Sequence, residues 1–133
     1  MNDEERLNEI TEVLEELREL SGDHVILVEG QKDKKALISI GIEGDIFLIQ
    51  SEGGPIRAAE YVSEHGRKAV VLTDWDRRGG TIAHELENQL SSLGLVYDSR
   101  IRARLSFLCK KDIKDIESLS KLLERLSSTA RSE

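Results

Sequence analysis

The sequence predicts an α/β domain built on a four-stranded, mainly parallel sheet that is flanked by helices. Three observations support this prediction. Short apolar runs rich in β-branched residues alternate with stretches of helical periodicity. Turn residues separate most of these stretches, and a length of 133 residues fits one domain with a core of its own. Strands that alternate with helices are joined by right-handed crossovers, which give a parallel sheet.

An amphipathic helix is predicted over residues 3–20. Leu7, Ile10, Leu14 and Leu17 recur every three or four residues, and acidic residues in the first turn suit the helix dipole. We expect this leucine stripe to pack on the core, and recruitment of a protein partner is the alternative. The predicted organisation is an N-terminal helical extension over 1–22, a core domain over 23–126 and a polar, frayed tail over 127–133.

Four apolar runs are predicted as strands. The first is apolar at both odd and even positions, as expected for a strand that is buried on both faces of a sheet. The others are similarly short and bounded by polar or turn residues. The predicted strands cover residues 24–28, 45–49, 68–72 and 103–109.

A helix is predicted after each strand. Pro55 suits the first position of the second of these helices, and Thr81 can cap the third. Residues 74–80 are expected to form a loop before it. The predicted helices cover residues 32–40, 55–64, 81–93 and a final segment from 114 or 115 to 126.

The composition restricts the functional classes. A formal net charge of −7 argues against a broad nucleic-acid-binding footprint but not against a local metal site. The single cysteine, Cys109, cannot form an internal disulfide, and a buried core position is expected for it. The acidic N-terminus lacks the apolar segment of a signal peptide, and no apolar run is long enough to span a membrane. A reducing, cytoplasmic location is therefore expected.

Three carboxylates directly follow predicted strands. Glu29 follows the first strand, and Asp74 and Asp76 follow the third. Ligand sites in parallel sheets form at the carboxyl ends of strands, so these groups share one crevice if strands one and three are neighbours. That condition gives the strand order 2-1-3-4. Grouped carboxylates repel one another unless a cation lies between them, and Mg²⁺ prefers such hard oxygen ligands.

Glycines and basic residues surround these acids. Gly30 lets the chain leave the first strand sharply, and Gly53-Gly54 and Gly79 lie at junctions where backbone amides can approach phosphate. For Gly53-Gly54 a plain turn is an equal alternative. Flanking cations are candidates for contacts with phosphate, although a solvated role for the two arginines is equally expected. These cations are Lys32, Arg77 and Arg78.

The segments 28–33 (VEGQKD) and 73–79 (TDWDRRG) resemble the two signatures of the Toprim family, a glutamate–glycine pair followed later by Asp-x-Asp. The resemblance implies a Rossmann-like Toprim fold and covers about residues 25–126. It is strongest to small stand-alone Toprim proteins that are similar to primases or to the ribonuclease that matures 5S ribosomal RNA. The Gly53-Gly54 turn falls between the two motifs as in the ribonuclease branch.

By this resemblance Glu29 acts as the general acid/base, and Asp74 and Asp76 bind Mg²⁺, with Mn²⁺ as a substitute. Asp33 matches a frequent acidic position of the family. Asp112 and Asp115 follow the predicted fourth strand and are candidate accessory acids.

Three functions follow as hypotheses. The first is a Mg²⁺-dependent nuclease that acts on RNA rather than DNA, with the RNA preference implied only by the ribonuclease-like resemblance. The second is a primase-like nucleotidyl transferase, against which the lack of a template-binding module counts. The third is a non-catalytic module that binds nucleic acid or protein, which the net charge of −7 favours.

Overall fold

The computed structural model describes residues 1–132, with side chains up to residue 130. Its centre is a four-stranded sheet in the order β2-β1-β3-β4, in which every neighbouring pair is parallel. This confirms the α/β class, the parallel sheet and the order 2-1-3-4. The strands are β1 (His24–Val28), β2 (Ile46–Leu48), β3 (Lys68–Val71) and β4 (Tyr97–Asp98).

Six helices cover the sheet, and they alternate with the strands from β1 to α5. In order along the chain they are α1 (Asp3–Leu20), α2 (Gln31–Ser39), α3 (Gly54–Glu64), α4 (Arg77–Ser92), α5 (Arg100–Cys109) and α6 (Leu119–Ser132). None of the helices in residues 1–132 has both the length and the apolar character needed to cross a membrane.

Each central strand contributes to two cores, because successive side chains point to opposite faces of a sheet. In β1, Ile26 and Val28 face a core built with α1, α2, α5 and α6. Val25 and Leu27 face a second core built with α3 and α4. All five residues of β1 are buried, which accounts for an apolar run without alternation.

The first helix is part of the larger core. Its side chains Ile10, Val13, Leu14 and Leu17 are buried in the cluster that also holds residues of α5 and α6. Burial of each such side chain contributes about 1.5–3 kcal/mol. The leucine stripe therefore packs on the sheet layer, as expected.

The prediction of a strand over residues 103–109 is wrong, because this segment lies in α5. Its buried residues Ile101, Leu105, Leu108 and Cys109 are spaced by four, three and one, which is a helical pattern. The exposed Phe107 lies between Leu105 and Cys109 and gives the run an apolar alternation that is typical of a strand. The fourth strand is instead the two-residue β4, which pairs with Ala69 and Val70.

Two helix boundaries also differ from the predictions. The helix predicted over residues 81–93 begins at Arg77 rather than Thr81. The Asp76 side chain accepts a hydrogen bond from the Gly79 amide at 2.7 Å and thereby caps this helix. The last helix begins at Leu119 and continues to Ser132. Most of the predicted frayed tail is thus helical, and residue 133 lies outside the described residues.

Candidate functional site

An open cavity of about 340 Å³ lies where β1 and β3 end. It combines five carboxylates with two cations and two amides, and thereby brings together the acids that follow two separate strands. Its lining residues are Glu29, Gly30, Gln31, Lys32, Asp33, Gln50, Asp74, Asp76, Arg78 and Glu117. We call this cavity the acidic pocket.

Glu29 joins the two strand ends directly. It follows β1 and is only 5% exposed. Its Oε2 atom accepts a hydrogen bond from the Asp74 amide at 2.9 Å. Since β1 and β3 are adjacent and parallel, this bond holds the glutamate against the loop that carries both aspartates.

Asp74 carries the strongest electrostatic perturbation in the pocket. Its Oδ1 atom accepts the Ile116 amide at 3.0 Å. Burial raises the pKa of the Asp74 carboxyl to about 8, and the charges of Asp33, Glu29 and Asp115 act in the same direction, against the Ile116 hydrogen bond. The metal-free pocket therefore favours a protonated Asp74 near neutral pH.

Asp33 accepts a hydrogen bond at the start of α2, although its surroundings disfavour the charged carboxylate. Its Oδ2 atom accepts the Gly30 amide at 3.1 Å at the start of α2, and the residue is 6% exposed. Burial raises the pKa of its carboxyl, against the Gly30 hydrogen bond, and Glu29 and Glu117 add to the rise. The pocket thus holds more negative charge than its own cations neutralise.

The β3–α4 loop is tightly packed at Gly79. This residue is buried, and a Cβ atom added to it would lie 2.5 Å from the Asp74 carbonyl carbon and closer still to its oxygen. Its amide already donates to the Asp76 carboxylate. Gly79 thus allows the first turn of α4 to pack against the Asp74 backbone. This packing role differs from the contact with phosphate that was predicted for Gly79.

Arg102 of α5 is a site residue that the sequence did not indicate. Its Nε atom donates to the Thr73 carbonyl at 3.0 Å, and its Nη2 atom donates to the Asp74 carbonyl at 2.8 Å. Thr73 also donates its hydroxyl to the Gly79 carbonyl at 2.7 Å. These bonds fix the path of the loop. No sequence signal distinguished Arg102 from the neighbouring arginines of α5.

The segment after α5 forms a further wall of the site. The Trp75 amide donates to the Lys114 carbonyl at 2.9 Å, and its indole Nε1 donates to the Ile113 carbonyl at 2.7 Å. Glu117 of this segment lines the pocket and was not among the predicted acids. Its position two residues after Asp115, within one acidic stretch, was the available signal.

The two predicted accessory acids of this segment have different places. Asp112 lies outside the lining of the acidic pocket and pairs with Arg125 at 2.8 Å and with Arg6. Hydrogen bonds from these two guanidinium groups lower the pKa of its carboxyl. Asp115 is also outside the lining and accepts the Ser118 amide at 2.8 Å, but its charge raises the pKa of both Asp33 and Asp74.

The predicted phosphate contacts are also divided. Gly30, Lys32 and Arg78 line the pocket, and the Lys32 Nζ atom lies 4.0 Å from Glu117. Arg77 is exposed outside the lining. Gly53 and Gly54 lie outside it too, and their φ angles of 116° and 85° form the turn into α3.

The donor chemistry of the pocket fits a hydrated Mg²⁺. Among the residues with described side chains, no three histidine, cysteine or acidic groups are arranged to hold one ion together. A cation bound wholly by protein is therefore a poor match. Mg²⁺ commonly uses only one or two carboxylates and completes its shell with water and phosphate, and the raised pKa values of Asp33 and Asp74 show a charge that a cation would offset.

Comparisons with known proteins place the chain among relatives of similar length. No family model matches it. It is 39% identical over 122 residues to a UPF0292 protein of Methanosarcina barkeri, which covers 91% of this chain and 85% of that one. A UPF0292 protein of Thermococcus sibiricus is 35% identical over 93% of this chain and 95% of its own.

A solved structure of a protein from Aquifex aeolicus has a similar fold. It superimposes with a TM-score of 0.68 and 33% sequence identity, over 81% of this chain and 95% of that chain. The identities to the archaeal relatives extend over most of both sequences. The chain therefore belongs to the UPF0292 family.

Proposed function

We propose that this protein is a Toprim-type, Mg²⁺-dependent enzyme that cleaves phosphodiester bonds in RNA. The observation that carries the proposal is the hydrogen bond between the Glu29 carboxylate and the Asp74 amide at the ends of two adjacent parallel strands. It brings the Glu-Gly and Asp-x-Asp segments into one pocket, in the arrangement that the resemblance implies.

Asp74 and Asp76 are the residues that would hold the metal. Asp76 uses its Oδ1 atom to cap α4, and Asp74 uses its Oδ1 atom to accept the Ile116 amide. Each carboxylate keeps a second oxygen for a cation. When bound, Mg²⁺ polarises a phosphoryl oxygen and stabilises charge on the attacking or leaving oxygen.

Glu29 is the proposed general acid/base. Its Oε2 atom is fixed by the Asp74 amide, and no described residue donates to its Oε1 atom. That oxygen is in place to take a proton from an attacking water or return one to a leaving oxygen. Lys32 and Arg78 at the rim of the pocket supply charge for the non-bridging phosphate oxygens.

Cleavage of a structured, end-labelled RNA tests this proposal. We expect cleavage with Mg²⁺ and none with EDTA. Glu29→Gln should slow it at least about 100-fold, since general acid–base catalysis contributes about 10²–10⁴-fold. The glutamine can still accept the Asp74 amide, so the loop is retained. Glu85→Gln, the same change at an exposed position of α4, should cleave at the wild-type rate.

Two results would redirect the proposal. Equal cleavage by wild type and Glu29→Gln would reject the assigned site. Incorporation of labelled nucleotide in place of cleavage would identify a nucleotidyl transferase that uses the same metal chemistry.

A non-catalytic module is the second candidate function. It is favoured by the lack, among the described side chains, of three acids arranged around one ion. Absence of Mg²⁺ binding at millimolar concentration in calorimetry would support it over the enzyme.

A further inference from the structure

The cations of this acidic protein are divided into two groups by their partners. Half of those with described side chains lie within 4.0 Å of a carboxylate, including those on α1, α3 and β3. Among the residues with described side chains, the cations with neither a carboxylate partner nor a side-chain hydrogen bond are confined to α2, α4 and the segment 110–121. They are Lys34, Lys35, Arg77, Arg78, Lys110, Lys111, Lys114 and Lys121.

Four of these lysines lie in the segment that follows α5, and we call this set the basic strip. It consists of Lys110, Lys111, Lys114 and Lys121, all of which are exposed. Lys110 and Lys111 begin the turn that closes when the Asp112 and Ile113 amides donate to the Cys109 carbonyl. Lys121 borders the same hollow as Ile113. The net charge of −7 thus coexists with a set of exposed lysines that have no carboxylate partner.

The three carboxylates of this segment, Asp112, Asp115 and Glu117, have partners other than the lysines of the strip. Asp112 accepts hydrogen bonds from Arg6 and Arg125, which approach from α1 and α6. Asp3, at the start of α1, lies 3.6 Å from Arg6. Asp115 accepts the Ser118 amide, and Glu117 lies 4.0 Å from Lys32. These acids are therefore not paired with a lysine of the strip, and the lysine charges remain available to an external anion.

Hydrogen bonds connect the segment of the strip to the loop that carries Asp74. Trp75 donates hydrogen bonds to the carbonyl groups of Ile113 and Lys114. Two residues beyond Lys114, the Ile116 amide donates a hydrogen bond to the Asp74 carboxylate. A polymer that places one phosphate at Asp74 would therefore meet Lys114 next along this side of the molecule.

We propose that the basic strip binds the sugar-phosphate backbone of an RNA strand next to the bond held in the acidic pocket. The identity of the polymer rests on the proposed function. A strand of regularly spaced phosphates matches a row of unpaired lysines that leads away from a pocket suited to one phosphate and one metal ion. Because the protein as a whole carries a net charge of −7, the strip also favours this path for the strand.

Binding of a fluorescently labelled single-stranded RNA, measured by anisotropy in EDTA at several salt concentrations, tests the strip without metal or cleavage. The double variant Lys111→Gln/Lys114→Gln should bind roughly 10–30-fold more weakly at about 0.1 M salt. The slope of log affinity against log salt concentration should be smaller in magnitude by about 0.7 for each lysine removed. Lys68→Gln/Arg100→Gln removes the same charge from cations that are paired with Asp23 and Glu16, and it should bind within about threefold of wild type.

The outcomes separate this proposal from the proposed function. Equal weakening by both double variants, or no binding by wild type at low salt, would overturn the strip. RNA binding that depends on the strip, together with a lack of Mg²⁺-dependent cleavage, would support the strip and reject the nuclease. Cleavage with RNA affinity that is unchanged by Lys111→Gln/Lys114→Gln would support the nuclease and reject the strip.

Discussion

Asp74→Asn is expected to abolish Mg²⁺-dependent cleavage and, at the same time, to stabilise the metal-free protein. The loss should be at least about 100-fold, because the substitution removes the charge of a proposed metal ligand. Stability should rise because Asp74 is partly buried beside Glu29 and Asp33, and its charge is unfavourable there. The asparagine Oδ1 atom can still accept the Ile116 amide, so the fold is retained.

The gain in stability should depend on pH in a defined direction. The pKa of Asp74 is raised from 3.8 to about 8 in the folded protein. The folded state therefore binds the proton more tightly than the unfolded state, and stability falls as pH rises from about 4 to about 8. Asparagine lacks this titration, so the difference between variant and wild type should grow across that interval.

Thermal unfolding in EDTA at pH 5 and pH 8 measures this effect. At pH 8 we expect the variant to melt roughly 3–8 °C above wild type, which corresponds to about 1–2 kcal/mol. Added Mg²⁺ should stabilise wild type, by about 2.7 kcal/mol at 100 times its Kd, and leave the variant unaffected. A variant that is less stable than wild type at pH 8 would show that the Asp74 charge is compensated within the protein.

Gly79→Ala is expected to destabilise the protein by more than about 3 kcal/mol. The added Cβ atom would overlap the Asp74 carbonyl group. The overlapping atoms belong to the backbone, so no flexible side chain can move away to make room. The first turn of α4 would have to separate from the loop, and the Asp76 cap would be lost with it. Thermal melting should fall by more than about 10 °C.

Gly80→Ala is the matched control for this prediction. It lies in the same helix, and the nearest atom to an added Cβ is the Arg102 Nη2 at 3.8 Å, an ordinary contact. Replacing a helical glycine by alanine in open space stabilises by about 0.5–1 kcal/mol. Similar melting temperatures for Gly79→Ala and wild type would show that the helix and the Asp74 loop are not packed as described.

The central strands and their order could be predicted because the sequence carries two consistent signals. The run at β1 is buried at every position and apolar from Val25 to Val28, and Glu29 and Asp74 follow strands that must be neighbours to share a pocket. The short β4 could not be predicted, since a strand of two residues has no periodicity to detect. Helix α5 was missed because one exposed phenylalanine obscured its four-residue spacing.

Within the site, residue types at strand ends were predictable but contacts between distant segments were not. Asp33 and Glu29 could be selected from their positions in the first motif. Arg102 donates hydrogen bonds to the carbonyl groups of residues that are 28 and 29 positions away. Asp112 lies outside the site, where it pairs with arginines of two other helices. Tertiary packing decides such pairings, and local spacing contains no record of them.

Anomalous diffraction from crystals soaked in MnCl₂ would show whether the acidic pocket binds a divalent cation. We expect a Mn²⁺ ion in the acidic pocket, within bonding distance of a carboxylate oxygen of Asp74 or Asp76, with Glu29 beside it. An acidic pocket without a Mn²⁺ peak at about 10 mM Mn²⁺, in crystals where its carboxylates are accessible to solvent, would contradict this expectation.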